Sequence, residues 1–406
     1  MIVDAQSPHS RHWINHLVKK GHEVHLVSTY PIDPKSLPIK SYLLAPVDFS
    51  AKARGQEKAQ SMGTATGKSG FISKLRGSKL WKALALLRNQ LAPYLVKKQA
   101  KTVKKFIVNV NPDIVHSMRI PFEGLLTHAA TKGINAPFVA STWGNDFTLF
   151  ATRDPNIKKL TLELLKDVSG LHSDCAKDIA IARSWGLGSN KPTVVAPGNG
   201  GIDQKIFHPT EYQGQVRSKL NLPEEVPIVI NPRGLKEYVR NDTFFAAIPI
   251  VLKEVPNCLF LAISMQNKPA AEAWVEQYGI QQNTVLLPSV SHSEMAQYFQ
   301  ASNIIVSSSD HDGTPNSLLE GMACGCFPIA GDIESSHEWV TDGVDGFIHD
   351  QSSPESLAEA IINAIKSPDI IAKAKMLNQE KITERCTIEA SVRNLEAFYN
   401  QVLEAK

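Results

Sequence analysis

Asp312 and Glu320 are two carboxylates eight positions apart, in the stretch Asp312-Gly313-Thr314-Pro315-Asn316-Ser317-Leu318-Leu319-Glu320. A Gly-Thr-Pro turn follows the first acid. The pattern predicts a helix that starts near Asn316, carries the second acid and ends at small residues and Gly325, before an apolar strand, Phe327–Ala330. A turn feeding a helix leaves unpaired backbone N–H groups and the positive end of the helix dipole at the turn, which suits a diphosphate. Two acids on the same rim can accept hydrogen bonds from hydroxyls on either side of it, on a ribose and on a hexose. The bland alternative is a loop and a buried helix with solvated acids. Turn, helix, strand and acids all agree with each other, which weighs against it.

The stretch resembles the donor-site signature of retaining glycosyltransferases of family 4 (glycosyl transferases group 1): Glu, seven residues, Glu, then Ala-x-Ala-x-Gly-x-Pro. Asp312 stands for the first acid, Glu320 for the second, and Gly321 replaces the first Ala. The resemblance implies that Asp312 contacts the donor sugar and Glu320 the nucleotide ribose. It implies too that the segment Gly313, Thr314, Pro315, Asn316, Ser317 and Leu318 lines the donor site. The family also places an Arg after the first strand of its second domain and a Lys about six residues on, both on the diphosphate. Here the sequence reads Asn231-Pro-Arg233-Gly-Leu-Lys236-Glu-Tyr-Val-Arg240-Asn-Asp242. Arg233 fits the first role. Arg240, just ahead of the expected helix, is favoured over Lys236 for the second. A guanidinium holds phosphate oxygens bidentately and supports charge on a leaving diphosphate, so no metal or cofactor is expected. Two ordinary surface arginines are the alternative.

Other matches are looser. Pro288-Ser-Val290 resembles the segment touching the nucleobase, and Asn199-Gly200-Gly201 the Asn-Gly segment at the interdomain crossing, where glycine lets backbone approach a ligand or serves as a hinge. Where related enzymes often carry a His-Gly pair, Trp143-Gly144 stands, and Trp143 cannot be a base. Asp146 is expected on the transferred sugar or the acceptor hydroxyl, or else as a helix N-cap. His116, at a strand end, is a further catalytic candidate, with a structural role as its alternative. A retaining transfer in which the leaving phosphate takes the acceptor proton needs no enzyme base. Ser7-Pro-His-Ser10 replaces the family's glycine-rich loop.

These residues need elements to position them. Ile2–Ala5 reads as the end of a clipped first strand. A helix with Trp13, Ile14, Leu17 and Val18 on one face follows, then a strand Glu23–Ser28. Further strands are predicted at Asp113–Ser117, Pro137–Thr142, Gly170–Ser173 and Lys191–Ala196. Ile202-Asp-Gln-Lys-Ile-Phe207-His-Pro209 resembles the family's linker. The pattern then restarts, with strands Pro227–Asn231, Cys258–Ser264, Thr284–Leu287 and Ile304–Ser307. Repeated strand–helix units imply parallel sheets with ligands at the carboxyl ends of the strands. The fold class is therefore α/β. The resemblance implies GT-B, two facing Rossmann-like doubly wound domains with an interdomain cleft: 1–207 for the acceptor, 208–385 for the donor, and a helix at 386–406 packing back toward the first.

Composition agrees with an enzyme of two or three domains. The chain has 406 residues, 43% hydrophobic, with net charge +3. Its five cysteines show no paired metal spacing and read as packing residues of a reducing compartment. Neither a transmembrane run nor a signal peptide is read. Residues 51–105 hold fourteen Lys or Arg against a single acid, Glu57. From Phe71 to 105, apolar residues alternate with lysines at helical spacing. Basic amphipathic helices suit an anionic membrane surface. A solvated domain face is the main alternative. Nucleic acid is disfavoured, because no recognisable module accompanies the charge.

The sequence is thus read as a retaining, metal-independent hexosyltransferase. It would move a hexose from a nucleotide sugar, UDP-linked by expectation, to a hydroxyl of a glycan or lipid-linked acceptor in polysaccharide, cell-envelope or glycolipid synthesis. Its expected location is cytoplasmic, peripheral on the inner membrane face. A GT-B nucleotide-sugar epimerase or hydrolase, or a non-catalytic nucleotide-sugar-binding scaffold, are the alternatives.

Overall fold

In the computed structural model the described residues are 1–47, 96–152, 154–197 and 199–405. Two compact units are present. Unit 1 comprises Met1–Asp174, Asp178–Gly200 and Val392–Lys406, and unit 2 comprises Cys175–Lys177 and Gly201–Ser391. The change of unit therefore falls between Gly200 and Gly201, ahead of the expected boundary at 207.

Unit 1 is built on seven parallel strands: β1 (Ile2–Val3), β2 (His25–Ser28), β3 (Ser41–Leu44), β4 (Val115–Ser117), β5 (Phe138–Thr142), β6 (Gly170–Ser173) and β7 (Thr193–Val195). Their spatial order is β3-β2-β1-β4-β5-β6-β7. Chain order reverses between β1 and β4, the switch point at which doubly wound sheets open a crevice. β3 was not legible in the sequence, because Ser-Tyr-Leu-Leu shows no alternation, and this edge strand is only partly buried. The helix that opens the unit, Pro8–Lys19, has Pro at its start and buries Trp13, Ile14 and Leu17 as expected. A helical run over 96–110 packs Val96, Ala100, Val103 and Ile107 into the same core as Ile2 and Val115. The rest of the basic segment, 48–95, lies outside the described residues. The terminal helix, Ile388–Glu404, sends Phe398 and Val402 against Gly170, where a Cβ would come within 2.8 Å of both side chains.

Unit 2 repeats the plan with β8 (Ile228–Asn231), β9 (Leu259–Ala262), β10 (Thr284–Leu286), β11 (Ile304–Ser307), β12 (Phe327–Gly331) and β13 (Phe347–His349). The order is β10-β9-β8-β11-β12-β13, again all parallel. The switch point lies between β8 and β11. Apolar cores cover both faces: Phe244, Ile248, Val251 and Ile361 belong to one, and Leu318, Leu319, Met322 and Phe299 to the other. Two covered faces explain why these strands read as unbroken apolar runs. The turn Thr341–Gly346 delivers β13.

Candidate donor site and the residues that build it

Unit 2 gathers the chemistry at the carboxyl edge of β8 and β11. The loop after β8 carries Arg233, Lys236 and Arg240, and the loop after β11 carries Asp312. The two loops are bound together by backbone: Val239 and Ser309 form an antiparallel bridge, Arg240 N–H donates to Ser308 O at 2.9 Å, and Asp310 N–H donates to Tyr238 O at 2.9 Å. Side-chain amides set the first loop. Asn231 Oδ1 accepts from Arg233 N–H at 3.1 Å, and Asn241 Nδ2 donates to Gly234 O at 2.9 Å. Gly234 sits at φ +63° with Ser264 Cβ 3.2 Å from where its own Cβ would be, so the turn admits glycine and little else.

The loops bring Arg233 onto Asp312, with Nη2 to Oδ2 at 2.5 Å and both side chains largely buried, 9% and 14% exposed. Arg233 Nη1 also reaches Ser317 Oγ at 3.5 Å, while its Nε has no partner. Asn316 Oδ1 and Ser309 Oγ are likewise buried and unbonded. Unsatisfied polar atoms are rare in folded interiors, and these three belong to the two loops and the helix start that carry Arg233 and Asp312.

The helix Asn316–Ala323 starts at Pro315 with no side-chain cap, so its first N–H groups face the crevice unpaired by side chains. Its far end is closed by Gln379 Nε2, which donates to Met322 O and Ala323 O at 2.8 Å. Gly321 is where the helix crosses β11: a Cβ there would lie 2.5 Å from Ile305 Cδ1. This close approach explains why glycine replaces the Ala of the resembled pattern. The turn ahead of the helix is fixed by Trp339 Nε1, which donates to Thr314 Oγ1 at 2.9 Å, and by Ser335 Oγ, which donates to Asp312 O at 3.0 Å.

Glu320, one helix turn in, is buried. Burial pushes its pKa up to about 8, although the nearby Arg233 charge pulls the other way. Among the described residues its carboxyl has no hydrogen-bond partner. Burial thus favours the protonated carboxyl, and the nearby Arg233 favours the ionised one.

The second cation differs from the expectation. Arg240 faces away from Asp312: its guanidinium is held by Asp242 at 2.8 Å and lies 3.8 Å from Asp310. Lys236 shares the field of Arg233 and Asp312. Burial and then Arg233 lower its pKa, while Asp312 raises it. The three-residue spacing of Arg233 and Lys236 looked too short on paper, yet the loop bends back at Gly234. Val290 packs at the rim of the unit 2 core, beside Ser289, whose Oγ donates to Ser264 Oγ at 3.0 Å. Among the described residues, neither Asp312 nor Glu320 belongs to a group of three His, Cys, Asp or Glu with ligand atoms within 4.8 Å of one another.

In unit 1 two sequence candidates are committed to internal partners. Asp146 is fully buried. Its Oδ1 accepts from Arg119 Nε at 3.0 Å and its Oδ2 from Trp143 N–H at 3.2 Å, so it orients Arg119 rather than facing a sugar. Arg119 was missed; only the adjacency of β4 and β5 brings it to Asp146. His116 is buried with both ring nitrogens engaged, Nδ1 with Tyr399 Oη at 2.6 Å and Nε2 with Ser141 Oγ at 2.8 Å. Burial, then His172 nearby, holds its pKa well below the usual imidazole value. Both ring nitrogens are thus committed to partners inside unit 1. Asn199 O accepts from His12 Nδ1 at 3.2 Å, and Gly200, at φ +86°, passes so close to His16 that a Cβ would lie 3.0 Å from its Cδ2.

With this geometry in place, the comparisons are specific. Residues 213–383 match the model of the family glycosyl transferases group 1. The D-inositol 3-phosphate glycosyltransferase of Streptomyces scabiei is 21% identical over 203 residues, 48% of this chain and 45% of that protein. That of Thermobispora bispora is 23% identical over 222 residues, 52% and 51% of the two chains. The chain thus spans about half the length of the curated relatives it matches. Among solved structures, sucrose-phosphate synthase from Thermosynechococcus elongatus superposes with a TM-score of 0.74 at 18% identity, over 99% of this chain and 94% of the other. Anabaena HepE in complex with UDP and glucose gives 0.68 at 14% identity, over 99% and 96%. The chain therefore has the GT-B fold of two Rossmann-like units, and its residues 213–383 match the model of glycosyl transferases group 1.

Proposed function

We propose that this protein is a retaining glycosyltransferase of family 4 that moves a hexose from a UDP-sugar to a hydroxyl of a glycan or lipid-linked acceptor. The observation that carries the reading is the buried Glu320 carboxyl beside Arg233, one turn into the Asn316–Ala323 helix, whose start has no side-chain cap. Arg233, Lys236 and the helix N–H groups hold the diphosphate, which leaves the charge of the departing group compensated without a metal or cofactor. Glu320 takes the ribose hydroxyls, Asp312 and the Gly313–Ser317 backbone take the sugar, and Val290 borders the base. HepE, whose structure contains UDP and glucose, supports the choice of base. In the transfer, the acceptor oxygen bonds to the anomeric carbon as the bond from that carbon to the diphosphate oxygen breaks. The diphosphate oxygen collects the acceptor proton on the same face, so configuration is retained.

The location follows from charge. Over 96–110, Lys97, Lys98, Lys101 and Lys105 point to solvent while the apolar face packs inward. Among the described residues no helix is long and apolar enough to cross a membrane. A peripheral position on an anionic cytoplasmic leaflet suits this helix, at about 1 kcal/mol per lysine. Replacing those four lysines by glutamine is expected to abolish sedimentation with phosphatidylserine vesicles; unchanged sedimentation contradicts the membrane placement.

The test of the donor reading is a thermal-shift panel with UDP, GDP, ADP, NAD and matching nucleotide sugars. A selective rise with UDP and UDP-sugars is expected. No response to any nucleotide contradicts it.

A further inference from the structure

The turn that carries Asp312 is held from behind in two layers, and every residue of both lies in unit 2. In the inner layer Ser335 Oγ donates to Asp312 O at 3.0 Å, and Trp339 Nε1 donates to Thr314 Oγ1 at 2.9 Å. One bond thus falls at each end of Asp312-Gly313-Thr314. Trp339 is buried in the same core as Leu318, Leu319 and Met322 of the helix that follows the turn. An indole N–H inside such a core needs an acceptor, and Thr314 supplies it.

The outer layer comes from the helix Pro368–Arg385, far from the donor pattern in sequence. The Arg385 guanidinium lies 4.4 Å from the centre of the Trp339 ring, and its Nη1 donates to Glu338 O at 3.1 Å. Lys381 Nζ donates to Trp339 O at 2.5 Å and pairs with Asp345 Oδ2 at 2.6 Å. Asp345 Oδ1 in turn accepts from Thr341 N–H at 2.7 Å, just past the tryptophan. The indole is therefore fixed at its face, at its ring N–H and at its own carbonyl, and it presents its donor to Thr314 in one position.

The hold is selective. Asn231 sets the backbone of Arg233, and Asn241 sets the Gly234 turn. Gln379 closes the far end of the helix that carries Glu320. None of these contacts involves Trp339. The groups read above as nucleotide contacts and the turn read as a sugar contact are thus supported separately.

Resting on the donor reading above, we propose that Trp339 is a positioning residue for the donor sugar, kept in place by Arg385 and Lys381, and that through Thr314 it gives the site its discrimination between a UDP-hexose and UDP alone. A slightly displaced turn loses its sugar contacts while the nucleotide contacts persist.

The experiment is titration calorimetry on the full chain with UDP, UDP-glucose and UDP-N-acetylglucosamine, read as the ratio of sugar-nucleotide affinity to UDP affinity. Trp339→Phe keeps a ring in the core and removes the N–H. Thr314→Val removes the acceptor and keeps the shape. Each is expected to lower the ratio about fivefold for the tighter sugar nucleotide, the scale of one hydrogen bond, and to leave UDP affinity within about twofold. In the Thr314→Val background Trp339→Phe should lower the ratio no further, because the bond is already gone. Arg385→Ala, at an exposed position, should lower it about twofold, and it carries the test if Trp339→Phe fails to fold. Unchanged ratios overturn the proposal. So do equal losses of UDP and sugar-nucleotide affinity, losses that add in the double variant, and UDP binding without sugar-nucleotide binding. A wild type that binds none of the three overturns the donor reading itself, whereas UDP binding with an unmoved ratio overturns only the role of Trp339.

Discussion

The Arg233 guanidinium meets the Asp312 carboxylate at 2.5 Å across the switch point of unit 2, and the two side chains come from adjacent strands 79 residues apart in sequence. The pair compensates in the free protein what a diphosphate would compensate in the complex. On the proposed reading, a phosphate arriving at Arg233 would compete with Asp312 and free the acid to turn toward sugar hydroxyls.

Arg233→Ala is therefore expected to damage both binding and stability. Nucleotide affinity should fall by about 1.5–3 kcal/mol, the scale of a charged hydrogen bond. The fold should lose about 3–5 kcal/mol, because a buried Asp312 is left without its cation. Titration calorimetry and urea melts check the two separately. Loss of stability with unchanged UDP affinity contradicts the phosphate role.

Glu320 gives a pH dependence with a definite sign. Its folded pKa, about 8, lies above the ordinary carboxyl value because of burial. The protonated form thus contributes stability that is complete below the ordinary value near 4.5 and is lost as pH rises through about 8. Relative to wild type, Glu320→Gln should gain melting temperature as pH goes from 5 to 9. Ribose hydroxyls favour the ionised acid, so UDP binding at pH 7 should release a proton. Calorimetry in buffers of different ionisation enthalpy measures this, and proton uptake or no change contradicts it.

Lys236 and Arg240 separate by position. Lys236→Ala should weaken UDP binding by about 1 kcal/mol or more. Arg240→Ala should cost only about 0.2–1 kcal/mol of stability, the worth of an exposed pair with Asp242, with little effect on affinity. The reverse ranking would return the diphosphate role to Arg240.

Gly321→Ala, although it restores the residue of the resembled pattern, should destabilise unit 2 by about 1–3 kcal/mol through overpacking against Ile305. Ile305→Val removes the Cδ1 atom in the way. The double variant should recover much of the loss, a coupling measured by a double-mutant cycle. Additive effects would place the strain elsewhere.

Local patterns were legible where the residues that matter lie close in sequence. The Asp312–Gly325 turn and helix, and strands such as β6 and β11, follow from runs of fourteen residues or fewer. Contacts made by the fold were not. Asp146 looked available because its partner Arg119 stands on the next strand, and His116 looked catalytic because Tyr399 closes on it from 283 residues away. Arg240 was favoured over Lys236 for its place just ahead of the helix, whereas Lys236 shares the field of Arg233 and Asp312.

The most direct test of the donor site is UDP titration calorimetry on wild type, Glu320→Gln and Glu320→Ala. Wild type should bind UDP, and Glu320→Ala should bind it about 1–3 kcal/mol more weakly, with Glu320→Gln between them. Equal affinity in all three, or no binding by wild type, contradicts the assignment of this crevice to a nucleotide.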